Sequence, residues 1–297
     1  MGKQRKIAGG LSAAVLAVAF AALTFAGSAS AFSGEFAAFN NCPTSNPSTW
    51  KCLHSVTNGG SVKLGKKVVP IVNPVTLEGG VTEESETGSE FGFSRMVAAK
   101  NGVTLVPTPQ PVPGGLAGLV NCKEISNFLV RIGCETVFEN GLTGVNATLE
   151  LARPASEIRV SQSNLVFEEG IALEMPVKVH LENPLLGSSC YVGSSSTPLP
   201  WKLTTGVTNS PTPIAGTGGE LTFTSNAEIL HLKGSSLVDN TWAAPHASGC
   251  GGAIVELILD PILDSQVGTP SAAGVNVAKL EKVNSDLALA AQVVKHP

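Results

Sequence analysis

Charged and aromatic residues are scarce in this chain. Of its 297 residues, 14% are charged and 5% are aromatic, and tyrosine occurs once. The formal net charge is −4, whereas nucleic acids and anionic membrane surfaces are bound through basic patches. We therefore predict no nucleic-acid partner, and so few aromatic rings argue against a sugar-binding face.

Motifs of the common enzyme and metal classes are also missing. The chain has no G-x-S-x-G, no H-E-x-x-H and no pair of C-x-x-C motifs, which would indicate an α/β hydrolase, a zinc protease or a structural zinc site. An acidic stretch lacks the Asp, Asn and Gly spacing of an EF-hand, and we interpret its glutamates as a solvated loop: Glu83, Glu84, Glu86 and Glu90. We predict no catalytic residue, no cofactor and no metal site.

The stretch "HASGCGG" (246–252) looks most like chemistry, because it places a cysteine four residues after a histidine. A catalytic cysteine needs an unpaired thiolate beside a base, whereas a half-cystine needs only an oxidising compartment and a partner. We predict that Cys250 is a half-cystine. A hydrolase with a dispersed site stays open as an alternative, and the first residues to test for it are His246, Ser248, His231 and Asp239.

Residues 1–31 have the pattern of a secretory signal peptide. Three basic residues precede an apolar run, and Ala29-Ser30-Ala31 matches an A-x-A cleavage site. An uncleaved membrane anchor is the alternative, but the small residues before Phe32 favour cleavage. Removing residues 1–31 takes three of the 19 basic residues and none of the 23 acidic ones, which leaves a net charge of −7. We expect a secreted, extracellular protein with no integral membrane span after cleavage.

Six cysteines follow this segment. An even number in an oxidising compartment predicts disulfides, although six cysteines permit fifteen pairings. Cys42–Cys52 and Cys122–Cys134 would each close a short loop, and Cys190–Cys250 would join two Gly- and Ser-rich loops. We therefore prefer this set of three pairs. Trp201 and Trp242 are predicted to pack near the third disulfide rather than to bind sugar.

Alternating apolar and polar residues indicate strands. The clearest case is "IALEMPVKVHLE" (171–182), which predicts a half-buried strand, with Pro176 marking a sheet edge or a bulge. Further strands are predicted in "VNATLELA", "GELTFTS", "EILHLKG" and "GGAIVELILDPIL", the last of them central because it is apolar on both faces. A terminal helix capped by Asn276 is predicted from the spacing of Val277, Leu280, Val283 and Leu287.

These patterns predict a mainly β fold, a disulfide-stabilised antiparallel β-sandwich-like structure with a short C-terminal helix. The predicted organisation is a signal peptide (1–31), an N-terminal β-rich region (32–106), a Pro-rich crossing (107–115) and a C-terminal β-sandwich-like region (116–297). The prolines of the crossing oppose a regular hydrogen-bonded element. Two arrangements stay open: a domain boundary at 107–115, or a surface crossing within a single domain.

Several segments resemble a group of uncharacterised secreted proteins of actinobacteria. The resemblance is carried by "VKVHLENPLLGSSCYVGS", "SSLVDNTWAAPHASGCGG", "TPSAAGVNVAKL" and "VVPIVNPVTLEGG", and by the "CPTSNP" that precedes Lys51-Cys52. It spans nearly all of the chain after residue 31. The resemblance implies export and a shared fold, and it supplies no catalytic residues.

We therefore predict a non-enzymatic, secreted β-rich protein that acts as an envelope-associated or ligand-binding module. Its partner would be a cell-envelope component or a small ligand. The alternatives are a secreted hydrolase with a dispersed site and an extracellular structural protein. The sequence leaves the oligomeric state open.

Overall fold

β-Strand is the main regular structure of the described chain. A computed structural model describes residues 31–86, 92–115, 126–129, 131, 132 and 144–297. The strands are β1 (Lys51–Leu64), β2 (Lys67–Pro70), β3 (Val75–Val81), β4 (Ser94–Val97), β5 (Pro109–Pro111), β6 (Asn146–Leu151), β7 (Arg159–Val160), β8 (Leu173–Glu182), β9 (Tyr191–Val192), β10 (Leu199–Leu203), β11 (Glu220–Phe223), β12 (Ile229–Asp239), β13 (Ala247–Ser248) and β14 (Val277–Leu289). The helices are α1 (Gln162–Phe167), α2 (Gly252–Val267) and α3 (Ala290–Val293), with short 3-10 helices at Gly34–Phe39 and Ala155–Glu157.

All the paired strands belong to one antiparallel sheet. Its order is β11-β12-β14-β1-β3-β4-β7-β8-β6-β5, with β2 on β1, with β9 and β10 on β8, and with β13 on β9. The predicted mainly β, antiparallel, disulfide-stabilised fold is confirmed. The hydrogen bonding runs through a single sheet, so the two stacked layers of a sandwich are not confirmed.

The sheet curls until its two halves meet. Beyond the end of β10, the N–H of Thr204 donates to the Val238 carbonyl (3.0 Å) and the N–H of Val238 donates to the Thr204 carbonyl (2.9 Å). Because β10 pairs with β8 and Val238 lies in β12, these two bonds join strands that are far apart in the sheet order. The curled sheet therefore surrounds an apolar interior.

Part of this curvature is concentrated at a bend that crosses three neighbouring strands. At the bend, backbone φ angles are positive at Gly60 in β1 (+107°), Lys282 in β14 (+52°) and Gly234 in β12 (+71°). A Cβ on Gly60 would lie 2.0 Å from the carbonyl oxygen of Lys279, so this position requires glycine. We call these three residues the bend line. The set of alternate positions that face inward switches at the bend line. In β14, for example, the even-numbered Leu280 faces the cavity before it and the odd-numbered Val283 faces the cavity after it.

The predicted C-terminal helix is wrong over most of its length. Residues 277–289 form β14, which pairs with β1 on one side and with β12 on the other, and only Ala290–Val293 is helical. Asn276 caps no helix, since its buried side chain accepts bonds from Gly65 N–H (2.9 Å) and Ser271 Oγ (2.7 Å). The helix-like spacing arises because the bend line interrupts the two-residue period of the strand.

The predicted central strand at "GGAIVELILDPIL" is also wrong, because this segment lies in helix α2. Leu259, Leu263 and Val267 follow each other at four-residue intervals and are all buried. Leu257 and Ile258, on the opposite side, are 81% and 49% exposed. The segment is rich in apolar residues because α2 carries them on its buried face and on its exposed face. A strand that is buried on both faces is not the reason.

Pro176 lies in the interior of the sheet, contrary to the predicted edge. β8 has β6 and β7 on one side and β9 and β10 on the other. Pro176 faces Pro200 of β10, and its carbonyl accepts from Ala152 N–H (3.0 Å) on the other side. Antiparallel ladders alternate hydrogen-bonded and non-bonded pairs, so the two prolines share a non-bonded pair and cost no bond between β8 and β10. On the other side, the missing N–H of Pro176 costs one bond to Ala152.

The Pro-rich crossing contains a regular element, contrary to the prediction. Pro109–Pro111 forms β5, which pairs with β6, and Val112 N–H donates to the Val145 carbonyl (2.8 Å). Prolines suit β5 because it ends the sheet order, where one side of the strand needs no donor. The crossing lies inside one compact unit that comprises residues 31–297. The predicted signal peptide (residues 1–30 of it) and the predicted Cys122–Cys134 pair lie outside the described residues.

Two disulfides fasten the curled sheet. Cys42–Cys52 joins the N-terminal segment to β1 in a small core that also contains Phe36, Phe39 and Ile229. Cys190–Cys250 joins the loop before β9 to the loop before α2 within the main core. Both are pairs that the sequence analysis preferred.

Candidate functional site

The curled sheet leaves an apolar cavity of about 120 Å³. Its wall is made mainly of aliphatic side chains from β1, β3, β6, β8 and β14, together with the indole of Trp201. An engineered protein cavity of about 150 Å³ lined by apolar side chains stays dry and binds benzene. The cavity is therefore a candidate site for a compact apolar ligand.

Few polar side chains interrupt this wall, and they fall into separate groups. Gln110 is occupied by the chain itself: its Oε1 accepts from the N–H groups of Val72 and Asn73 (2.9 Å each). In the middle of the wall, Ser55 and Ser285 face each other across β1 and β14 with their hydroxyls 2.8 Å apart. Thr57 follows on the same face of β1. The remaining polar lining residues are Lys67 and Thr108.

The loop "HASGCGG" is held by structural bonds. Cys250 is fully buried and bonded to Cys190, so it has no thiol for a nucleophilic role. Two carboxylates of α2 hold the backbone: Asp260 accepts from Cys250 N–H (3.0 Å) and Asp264 accepts from Ala247 N–H (2.7 Å). Their spacing of four residues places both on one face of α2.

The residues proposed for a dispersed hydrolase site have separate partners. Nδ1 of His246 lies 2.6 Å from Asp264, and Nδ1 of His231 lies 2.7 Å from Asp286. Ser248 is exposed in β13, opposite Tyr191 of β9. Within the described ranges, no hydrogen bond joins Ser248 to either histidine. The structure therefore does not bring these residues together as a triad.

Asp239 has a structural role at the closure of the sheet. It is fully buried, and its carboxylate accepts from the N–H groups of Lys202 (2.6 Å) and Thr241 (2.8 Å) and from the Thr241 hydroxyl (2.7 Å). Burial raises the pKa of this carboxyl, and the hydrogen bonds from Lys202 and Thr241 offset only part of that rise.

This raised pKa predicts a pH-dependent difference between the protein and its Asp239→Asn variant. A group whose pKa is higher in the folded than in the unfolded chain favours folding fully below its unfolded pKa, about 3.9 for Asp, and this contribution is lost as pH rises through the folded value. The free energy of unfolding of the wild type minus that of Asp239→Asn should therefore decrease from about pH 3 toward neutral pH. Denaturant titrations at a series of pH values measure it, and a constant difference would contradict the raised pKa.

The acidic stretch after β3 lines an open polar depression rather than a converged cation site. Glu83, Glu84 and Glu86 lie there beside Trp50 and Lys51, and Glu90 lies outside the described residues. Nζ of Lys51 donates to Gln162 Oε1 (2.7 Å). In the parts of the chain that the structure describes, no three His, Cys, Asp or Glu side chains are grouped as ligands of a metal ion.

The three tryptophans have different environments. Trp201 and Trp242 are 1% exposed and their rings contact at a centroid distance of 6.1 Å, in the main core that also contains Cys190 and Cys250. Trp50 is 48% exposed. The two buried indoles are therefore core residues and offer no stacking surface to a sugar.

The cavity and its hydroxyl groups were missed by sequence reasoning. Ser55 and Thr57 lie two residues apart in "KCLHSVTNGG", where serine and threonine at alternate positions suggest a solvent-facing side. The sequence did contain one signal that this side faces inward, because the apolar Leu53 lies two residues before Ser55 on the same face of the strand. The structure shows that Leu53 is buried. None of the described helices is both long and apolar enough to cross a membrane.

Comparisons of the chain with protein-family models, with curated proteins and with solved structures found no match.

Proposed function

We propose that this protein is a secreted, non-enzymatic binding protein that holds a compact apolar ligand inside its curled sheet. The observation that carries the proposal is the cavity of about 120 Å³ with an almost wholly apolar wall. Natural ligand sites are typically concave and mostly apolar, with a few polar groups that orient the ligand. This cavity has that composition.

The setting supports an extracellular role. The signal-peptide pattern at residues 1–31 and two disulfides are consistent with export, since disulfides persist in oxidising compartments. A relationship to secreted proteins of actinobacteria, which we propose from the sequence segments alone, would point the same way. Such a protein would take up a small ligand at or beyond the cell envelope.

The non-enzymatic part of the proposal rests on the fate of the reactive residues. Cys250 is consumed by a disulfide, and Asp264 holds both His246 and the backbone of the following residue. Neither Cys250 nor His246 lines the cavity. A reaction on a bound ligand would need a nucleophile or base at the wall, where Lys67 is the one charged residue in the part of the chain that the structure describes.

Filling part of the cavity should weaken binding without unfolding the protein. Ala147 lines the wall, and Ala147→Leu adds three carbons to the space that a ligand would occupy. Each displaced ligand carbon forfeits about 0.8 kcal/mol of burial, so affinity should fall by about tenfold or more. Benzene and larger apolar molecules would be screened on the purified protein by ligand-induced shifts of the thermal unfolding midpoint.

The control for this experiment is Ala243→Leu, which adds the same side chain at an exposed position. It should bind like the wild type. If no member of the panel binds the wild-type protein, or if both variants bind equally well, the cavity is not a ligand site.

A further inference from the structure

Three hydroxyl groups of neighbouring strands form a cluster that faces the cavity among the described residues. Ser55 and Ser285 are cross-strand partners, and Thr57 lies two residues farther along β1 on the same face, about 7 Å away along the strand. Ser285 and Thr57 are each 6% exposed. We call Ser55, Thr57 and Ser285 the hydroxyl cluster.

The hydroxyl cluster has unused hydrogen-bonding capacity. One serine hydroxyl donates to the other across 2.8 Å, and the accepting hydroxyl keeps a hydrogen of its own to donate. Thr57 has no hydrogen-bond partner for its hydroxyl among the described residues. A hydroxyl that faces an apolar cavity without a partner is costly, and a polar atom of a ligand would satisfy it.

The surroundings limit the charge of that ligand. Among the described residues, Lys67 is the only charged residue of the wall, and it pairs with Leu64, nine residues along β1 from Ser55. Nine residues extend at most about 30 Å in a strand, a length that the bend at Gly60 shortens. A carboxylate or an ammonium placed at the hydroxyl cluster would therefore be buried without an opposite charge, which is strongly unfavourable.

We infer that the cavity selects a neutral, compact apolar molecule that carries a hydroxyl or carbonyl group, and that the hydroxyl cluster binds this group. The inference rests on the proposed function, because it names the ligand class of the same cavity. The rest of the wall contacts the hydrocarbon part of the molecule. Size restricts that part to roughly one six-membered ring, by comparison with benzene in a cavity of about 150 Å³.

Benzene and phenol test the inference, because they differ by one hydroxyl group. Both are titrated into the full exported protein, and dissociation constants are measured by calorimetry or by stabilisation against thermal unfolding. The wild type should bind phenol at least as tightly as benzene. In Thr57→Val, which keeps the shape of the side chain and removes its hydroxyl, the ratio of phenol to benzene affinity should fall by about tenfold.

The matched control is Thr76→Val, in the neighbouring strand β3. Thr76 does not line the cavity, so this variant should keep the wild-type ratio within about twofold. Ser285→Ala is a second test that leaves Thr57 intact, and it should also lower the ratio. Benzene should bind all these variants about equally, which shows that they are folded and that the cavity persists.

The outcomes separate the two proposals. If benzene binds and Thr57→Val and Ser285→Ala leave the phenol ratio unchanged, the hydroxyl cluster does not select the ligand, and the cavity remains an apolar binding site. If neither benzene nor phenol binds the wild type, the proposed function and the inference both fail.

Discussion

Replacing Cys190 and Cys250 with alanine should lower the free energy of unfolding by about 4 kcal/mol. The disulfide spans 60 residues of sequence, and in the chain-entropy model a closed loop of that length removes about this much entropy from the unfolded chain. Both cysteines are fully buried, and alanine avoids placing a new polar group in the core. Denaturant unfolding of the oxidised protein and of the double variant measures the difference.

The second disulfide provides an internal comparison. Cys42–Cys52 spans only 10 residues, so its removal should cost about 3 kcal/mol by the same reasoning. It also lies in the smaller core, away from the cavity. A Cys190 and Cys250 variant that loses less stability than the Cys42 and Cys52 variant would contradict the assignment of loop entropy as the main contribution.

The sequence predicted the fold class because the ordinary strands follow the two-residue period closely. In β8, Met175, Val177, Val179 and Leu181 are buried and the residues between them are half-buried, as the alternation indicates. The pairing of four of the six cysteines also followed from local context. Cys42 and Cys52 close a short loop, and Cys190 and Cys250 each stand beside glycine and serine.

The same period failed at β14 because of a physical event that one strand cannot reveal. Ala278 and Leu280 are buried before the bend line, and Val283 and Ser285 are buried after it. Across Lys282 the interval between buried residues is therefore three residues instead of two. The resulting three-residue spacing is that of a helix. Only the partner strands, with Gly60 of β1 and Gly234 of β12 each within about two residues of that position, explain why the period breaks there.

The cavity could not be predicted from the sequence, since its wall is assembled from strands that are distant along the chain. Leu53, Ala147 and Leu280 are individually ordinary core residues. Whether they meet or leave a space depends on how far the sheet curls, and the closure between Thr204 and Val238 sets that. Ser55 and Ser285 likewise gain their meaning only from the register that places them opposite each other.

Trp201→Ala should destabilise the protein by about 3 to 5 kcal/mol. Its side chain is 1% exposed, packs against Trp242 and forms part of the cavity wall. Truncation loses the burial of the indole and enlarges a space that is already present, which the strands around it cannot fill by relaxing fully. Trp50→Ala removes the same side chain at a position that is 48% exposed and should cost about 1 kcal/mol or less.

An added ligand distinguishes loss of the cavity wall from general damage to the fold. If Trp201→Ala joins the space vacated by the indole to the existing cavity, free indole should bind there and stabilise the variant against unfolding in proportion to its concentration. Indole should stabilise Trp50→Ala much less, because a partly exposed site buries little of the ring. Thermal unfolding of both variants with and without indole measures this difference. Equal shifts in the two variants would mean that Trp201 does not separate the cavity from the core behind it, and the wall would have to be reassigned.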